Sequence, residues 1–248
     1  MKMTLLEVVQ KILSSLNSDE VNSINDTTEA LQVADIVETV YYEILSDRDW
    51  PHLRSTFKLD SSGDTAMPTH MRMPDTVQKL TLIKYDIRQD VADPVEYRDL
   101  IRLDPEDFLD FIMSRDASDT TVQTVTDFGG VDLLIRNDTS PTYWTSFDDE
   151  WLVFDSFDSN VDTTLQSSKT QCVGYIEPSW TRDDSFQIDL PGKNMQYLLA
   201  EAKSVAWTDI NEQPNQKAEQ QSRRQRIWSA RTKWRENGGI KLPDYGRR

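Results

Sequence analysis

Two hydrophobic rhythms occupy this chain, and they occupy different parts of it. Apolar residues recur three and four apart near both ends, while the stretch between them alternates short β-forming runs with turn residues. A purely helical or purely stranded fold is thereby excluded. At the N-terminus Leu5, Leu6, Val8, Val9, Ile12, Leu13 and Leu16 form one helical face, ended by Asn17 and Ser18. Asp26 followed three residues later by Glu29 has the pattern of a capping box, and Ala30, Val33, Ala34, Val37, Tyr41, Ile44 and Leu45 continue at helical spacing to about Trp50, where Pro51 stops the helix. From His52 to about Asp189 the expected strands are 53–59, 77–85, 121–126, 131–136, 142–147, 151–154 and 170–176, with one helix at 104–114 announced by Asp104-Pro105-Glu106-Asp107. Helix returns near Pro191, with Met195, Leu198, Leu199, Ala202, Val205 and Ala206 as its buried stripe, and Pro214 opens a long polar helix ending near Glu236.

The expected class is α+β. N-terminal helices (1–50) and C-terminal helices (191–236) form a helical platform, a β-rich domain (51–190) is inserted between them, and an extended C-terminal arm (237–248) follows. With 248 residues and 37% hydrophobic content, the chain can bury one large core or two modest ones. No run approaches the roughly 18 apolar residues of a membrane span. The opening residues meet charge too early for a signal peptide, so the expectation is a protein acting inside the cell that makes it. Cys172 is the only cysteine, which excludes intrachain disulfides and disfavours a thiol-ligated metal.

Catalytic chemistry is reached by subtraction. His52 and His70 are the only histidines, no Gly-x-Ser-x-Gly elbow exists, and the pairs Gly129-Gly130 and Gly238-Gly239 lack the rest of a phosphate-binding loop. The densest carboxylates are Asp148, Asp149, Glu150, Asp155, Asp158 and Asp162; their rhythm is not that of a calcium loop, and a solvated loop or subunit contact is preferred over a cation site. A glycan hydrolase using a pair from Asp148, Asp149, Glu150, Asp155 and Asp158 is kept as the alternative. The aromatic residues of the same stretch, Tyr143, Trp144, Phe147, Trp151, Phe154 and Phe157, read as sheet core before they read as a sugar platform. The preferred reading assigns no catalytic residue, no metal and no cofactor.

Charge is divided as sharply as hydrophobicity. Residues 217–248 carry ten Lys or Arg against three acids, whereas residues 1–190 carry 15 basic and 37 acidic side chains, within a total of −16. The acidic bulk repels nucleic acid, so only the C-terminal segment is suited to phosphate contacts. That segment is a solvated helix, a partner-docking arm or a nucleic-acid contact, and docking is preferred. Arg223, Arg224, Ile227, Trp228, Ala230, Arg231 and Trp234 combine arginine and tryptophan as interface anchors do, and Ile240, Leu242 and Tyr245, followed by Arg247 and Arg248, are too few to bury themselves.

The run containing Leu5, Leu16, Asn25-Asp26-Thr27-Thr28-Glu29-Ala30, Val33-Ala34, Tyr42-Glu43-Ile44 and Arg48-Asp49-Trp50-Pro51 resembles the head-to-tail adaptor proteins, or tail tubular protein A family, of short-tailed bacteriophages. The motif match covers about the first 60 residues, and Met67-Pro68 and Met73-Pro74 lie where such chains pass into strands. The remainder agrees in layout, with a larger middle insertion than in the shorter members. The resemblance implies a structural virion protein at the neck between capsid and tail, assembled in the host cytoplasm. It implies a homo-oligomeric ring, dodecameric in the family, that joins the portal protein to the tail nozzle protein around a channel through which DNA passes. It assigns portal docking to residues 223–248 and packing between subunits to residues 26–50 and 193–210.

Overall fold

The computed structural model describes residues 2–236 apart from Val91 and Lys193, with side chains described as far as Trp228. The helices are α1 (Leu5–Leu16), α2 (Thr28–Ser46), α3 (Pro105–Met113), α4 (Met195–Asn211) and α5 (Gln216–Glu236). The strands before α3 are β1 (Arg54–Phe57), β2 (Asp60–Ser61), β3 (His70–Arg72), β4 (Val77–Asp86), β5 (Tyr97–Asp99) and β6 (Ile101–Arg102). Those after it are β7 (Val122–Thr126), β8 (Asp132–Arg136), β9 (Tyr143–Ser146), β10 (Trp151–Phe154) and β11 (Thr170–Ile176). Two compact units result: residues up to His52 together with those from Pro178 onward, and residues 53–177.

In the helical unit, α1 and α2 are each started by a threonine. Thr4 Oγ1 accepts the Glu7 N–H while the Glu7 carboxylate accepts the Thr4 N–H, a full capping box on α1. The box expected at Asp26 and Glu29 does not form. Thr27 caps α2 by accepting the Ala30 N–H at 3.1 Å, and Asp26 lies one residue too early, its carboxylate accepting the N–H groups of Asn22 and Ser23 at 2.8 Å each. Glu29 accepts from the Ser18 hydroxyl instead of reaching back. The helix closes at Ser46, short of Trp50. Trp50 folds back to donate its indole N–H to Ile44 O at 3.0 Å, and the Arg48 guanidinium lies 3.6 Å from the Trp50 ring centroid. The Arg-Asp-Trp-Pro turn is thus a C-terminal plug, which satisfies a carbonyl that the helix leaves open.

The segment 178–190, expected within the β-rich insertion, belongs to the helical unit. Its residues lack β period because their partners are helices. The Leu5 N–H donates to Phe186 O at 2.8 Å, the Ile24 N–H donates to an Asp184 carboxylate oxygen at 2.8 Å, and Thr4 forms a bridge with Gln187. Trp180 packs between Tyr41 and Phe186 at 5.1 and 5.0 Å, and Arg182 pairs with Asp35 and Glu38 on α2.

At the end of this segment the carbonyl of Asp189 bonds His52 Nε2 at 3.0 Å, while Nδ1 of the same ring is buried without a partner. Burial holds the His52 pKa below its ordinary 6.5, and the neighbouring Asp189 offsets this only in part. The unfolded chain therefore binds the His52 proton at a higher pH than the folded one. Stability is lost as pH falls below about 6.5, and the loss ends once the folded ring itself protonates. Urea titrations of the wild type and a His52→Gln variant between about pH 5 and 7.5 should show the steeper acid decline in the wild type. Parallel curves refute it.

The second unit is organised by two strands that change sheets. One sheet is four-stranded in the order β1-β11-β4-β5 and the other five-stranded in the order β2-β3-β10-β9-β6. β1 runs on into β2 and β5 into β6, so the same two chain segments form the margins of both sheets, which share one hydrophobic core. Leu59 and Leu100 sit at the two crossings and are buried at 0% and 6% exposure, filling the corners where the backbone turns. The strand expected at 53–59 is accordingly cut at Phe57. The hairpin β7-β8 and α3 add Val125, Leu133, Ile135, Phe108 and Ile112 to the same core as Met71, Ile83, Leu152 and Phe154. Asp104 precedes Pro105 as expected, although its side chain makes no capping bond.

Candidate docking site

α5 is attached by one face of its first turns. Asn215 Oδ1 accepts the Ala218 N–H at 3.1 Å, which starts the helix directly after Pro214. Ala218 and Ser222, four residues apart, are buried against α4, and the Ser222 hydroxyl donates to the Glu201 carboxylate there. Burial raises the Glu201 pKa, Glu43 and Glu219 raise it further, and Arg226 works in the opposite direction. Arg226 also reaches Asp47, at the end of α2, at 3.3 Å. The apolar share of this attachment is small, since alanine and serine have little surface to remove from water. Small residues at i and i+4 opposite a glutamate are the only trace of this seam in the sequence.

The opposite face of α5 is open. Ile227 is 56% exposed and Trp228 44% exposed, and Arg223 and Arg224 are exposed beside them. At 100° per residue, position 227 lies on the far side of the helix from Ala218 and Ser222, and Arg223 stands one turn before it. The structure therefore brings Arg223, Arg224 and Ile227 onto a surface turned away from α4, while Trp228 is partly exposed on the helix flank. Arg231 and Trp234 fall within the helix, but their side chains lie outside the described residues, as do Ile240, Leu242, Tyr245, Arg247, Arg248 and the whole arm 237–248. Of the regions assigned to packing between subunits, α2 and α4 pack against each other within the chain, leaving Leu31 and Tyr42 as the exposed large apolar residues of α2.

The carboxylates of 148–162 are scattered among separate structural tasks. Asp148 accepts the N–H groups of Glu150 and Trp151 in the β9-β10 turn, and Glu150 pairs with Arg72 at 2.8 Å. Asp155 is buried against Arg115, Asp158 accepts the Asn160 N–H, and Asp162 pairs with Lys169 at 2.6 Å. Among the described residues no group of three or more His, Cys, Asp and Glu is placed to hold a metal ion. Of the neighbouring aromatic residues, Trp144, Phe154 and Phe157 are core, Tyr143 meets Phe111 edge-on at 5.0 Å, and Phe147 is 40% exposed.

Two other reactive side chains are enclosed. His70 Nε2 lies 2.9 Å from an Asp127 carboxylate oxygen with its ring fully buried beside Phe128, out of reach of a substrate. The Cys172 thiol is buried and its pKa is pushed up to about 12 by desolvation, which suppresses the reactive thiolate. No helix of the described residues is long and apolar enough to cross a membrane. No protein-family model matches the chain, and a search of curated proteins finds no match.

Proposed function

We propose that this chain is a structural, non-enzymatic virion protein: a ring-forming head-to-tail adaptor that links the portal of a short-tailed bacteriophage to its tail nozzle around the DNA channel. The observation that carries the reading is α5, a 21-residue basic helix fixed to its own unit by Ala218, Ser222 and Arg226 while Arg223 and Ile227 face outward and Trp228 is 44% exposed. Such a helix is about 30 Å long, enough to extend well beyond its attachment. Exposed tryptophan and isoleucine among arginines suit an acidic or apolar groove on a partner. The resemblance of the first 60 residues to the adaptor family supports the choice of partner. The charge of −16 supports the channel role, because an acidic lumen repels the passing duplex and keeps it from adhering.

The test uses two forms of the protein, one ending at Asn237 and one carrying Arg223→Glu with Ile227→Glu. Both should keep the wild-type circular dichroism and melting temperature, since the altered residues are exposed or lie beyond α5. Both should lose binding to purified portal rings by at least about tenfold, the loss expected when an interface anchor is removed. Unchanged portal affinity in both forms refutes the docking role.

A further inference from the structure

α4 and α5 enclose a hollow of about 280 Å³ lined by Gln196, Leu199, Ala200, Lys203, Gln221 and Gln225. Its chemistry is lopsided. One lysine and three glutamines line it, and no aspartate or glutamate does, although the chain carries 43 acids against 27 bases. No hydrogen bond or ion pair with the described residues engages the side chains of Lys203, Gln196, Gln221 or Gln225.

Lys203 is also poorly placed for an unused cation. It is half-buried and lines a second, wider groove along α1, where Lys11 is its cationic neighbour. Lys11 donates to the sulfur of Met3 at 2.8 Å, and Glu7, Asp19 and Glu20 line the same groove without an ion pair to either lysine among the described residues. Burial and then Lys11 both push the Lys203 pKa below its ordinary range, so the charged form is disfavoured twice. An incoming oxyanion relieves both penalties together, and the glutamine N–H groups supply the remaining hydrogen bonds.

We infer that the hollow formed by Lys203, Gln196, Gln221 and Gln225 between α4 and α5 is a carboxylate-binding site, and that it takes an aspartate or glutamate side chain of a second copy of this chain. A single ammonium among neutral amides balances one negative charge, which fits a carboxylate better than a dianionic phosphate. A second copy is the natural source because each copy carries an excess of 16 acids. The identity of the occupant rests on the ring reading above; the donor set does not.

Sedimentation velocity of the full-length protein at about 0.15 M salt, which screens the repulsion between two copies of charge −16, tests this with the wild type, Lys203→Met and Lys203→Arg. The wild type should self-associate, Lys203→Arg should keep most of that association, and Lys203→Met should weaken it by at least about tenfold, as removal of one partner of a desolvated charge pair does. Lys203→Met should melt no lower than the wild type, because it removes a charge that the fold disfavours. Wild-type association in Lys203→Met overturns the site. A wild type that stays monomeric, while acetate raises its melting temperature and not that of Lys203→Met, overturns the second copy as occupant; a monomer indifferent to acetate overturns both. Portal binding is scored separately on the same proteins. Normal portal binding with unaltered self-association in Lys203→Met sinks this site and leaves the adaptor reading intact.

Discussion

Replacing Asp155 with alanine should destabilise the β-rich unit by roughly 3–5 kcal/mol, the cost of stranding a buried counter-charge. Asp155 Oδ1 accepts the N–H groups of Thr142 and Tyr143 at 2.9 and 2.8 Å, and its other oxygen accepts from Arg115 at 3.0 Å. Arg115 in turn donates to the carbonyls of Leu134 and Asp155 and lies over the Phe111 ring. The side chains are 7% and 11% exposed, so water cannot replace what the substitution removes. Arg115 follows α3, Leu134 is on β8 and Tyr143 is on β9, so one carboxylate holds three elements in register. Hydrogen exchange read on residues 53–177, alongside urea unfolding, measures the effect. Asp155→Asn should fall between wild type and alanine, because it keeps an acceptor and loses the charge. The idea fails if alanine costs less than about 1 kcal/mol, the value of an exposed pair.

Gly174→Ala should be comparably damaging for a steric reason. A Cβ at this position would sit 2.4 Å from the carbonyl oxygen of Lys79 and 3.0 Å from a ring carbon of Phe57. The first contact is with backbone on β4, and Gly174 lies at a register shift where β11 passes from pairing with Leu82 to pairing with Leu80. Relief requires the central ladder of the four-stranded sheet to separate locally. Overpacking typically costs about 1–3 kcal/mol, and contact with backbone puts this site at the upper end. A fall in melting temperature on the order of 10 °C is expected. A variant that melts with the wild type would mean that the ladder yields freely.

These two positions also mark where the sequence stops being informative. Helices α1, α2 and α4 and strands β4, β10 and β11 declare themselves through long or clean hydrophobic periods, because each lays one continuous face on a core. Strands β2, β3, β5 and β6 are two or three residues long, below the length at which alternation carries any signal. The change of sheet at Leu59 and Leu100 is a tertiary event, and nothing local distinguishes those leucines from any other. Segment 178–190 was hidden for the related reason that its order comes from residues more than a hundred positions away, such as Ile24 and Tyr41. The basic character of α5 could be read directly, whereas the Lys203 hollow could not, since it is assembled from ordinary glutamines on two helices.

The β-rich unit begins and ends on one pair of strands. Arg54 on β1 faces Tyr175 on β11 across an antiparallel ladder, so the chain enters and leaves the unit side by side. A module with adjacent ends is a cassette: its loops can lengthen, or its strands be replaced, without altering the span that the flanking polypeptide must bridge. Lineages sharing the helical frame are therefore free to diverge in what they carry at this point, and the size of the insertion says little about the ancestry of the helices around it.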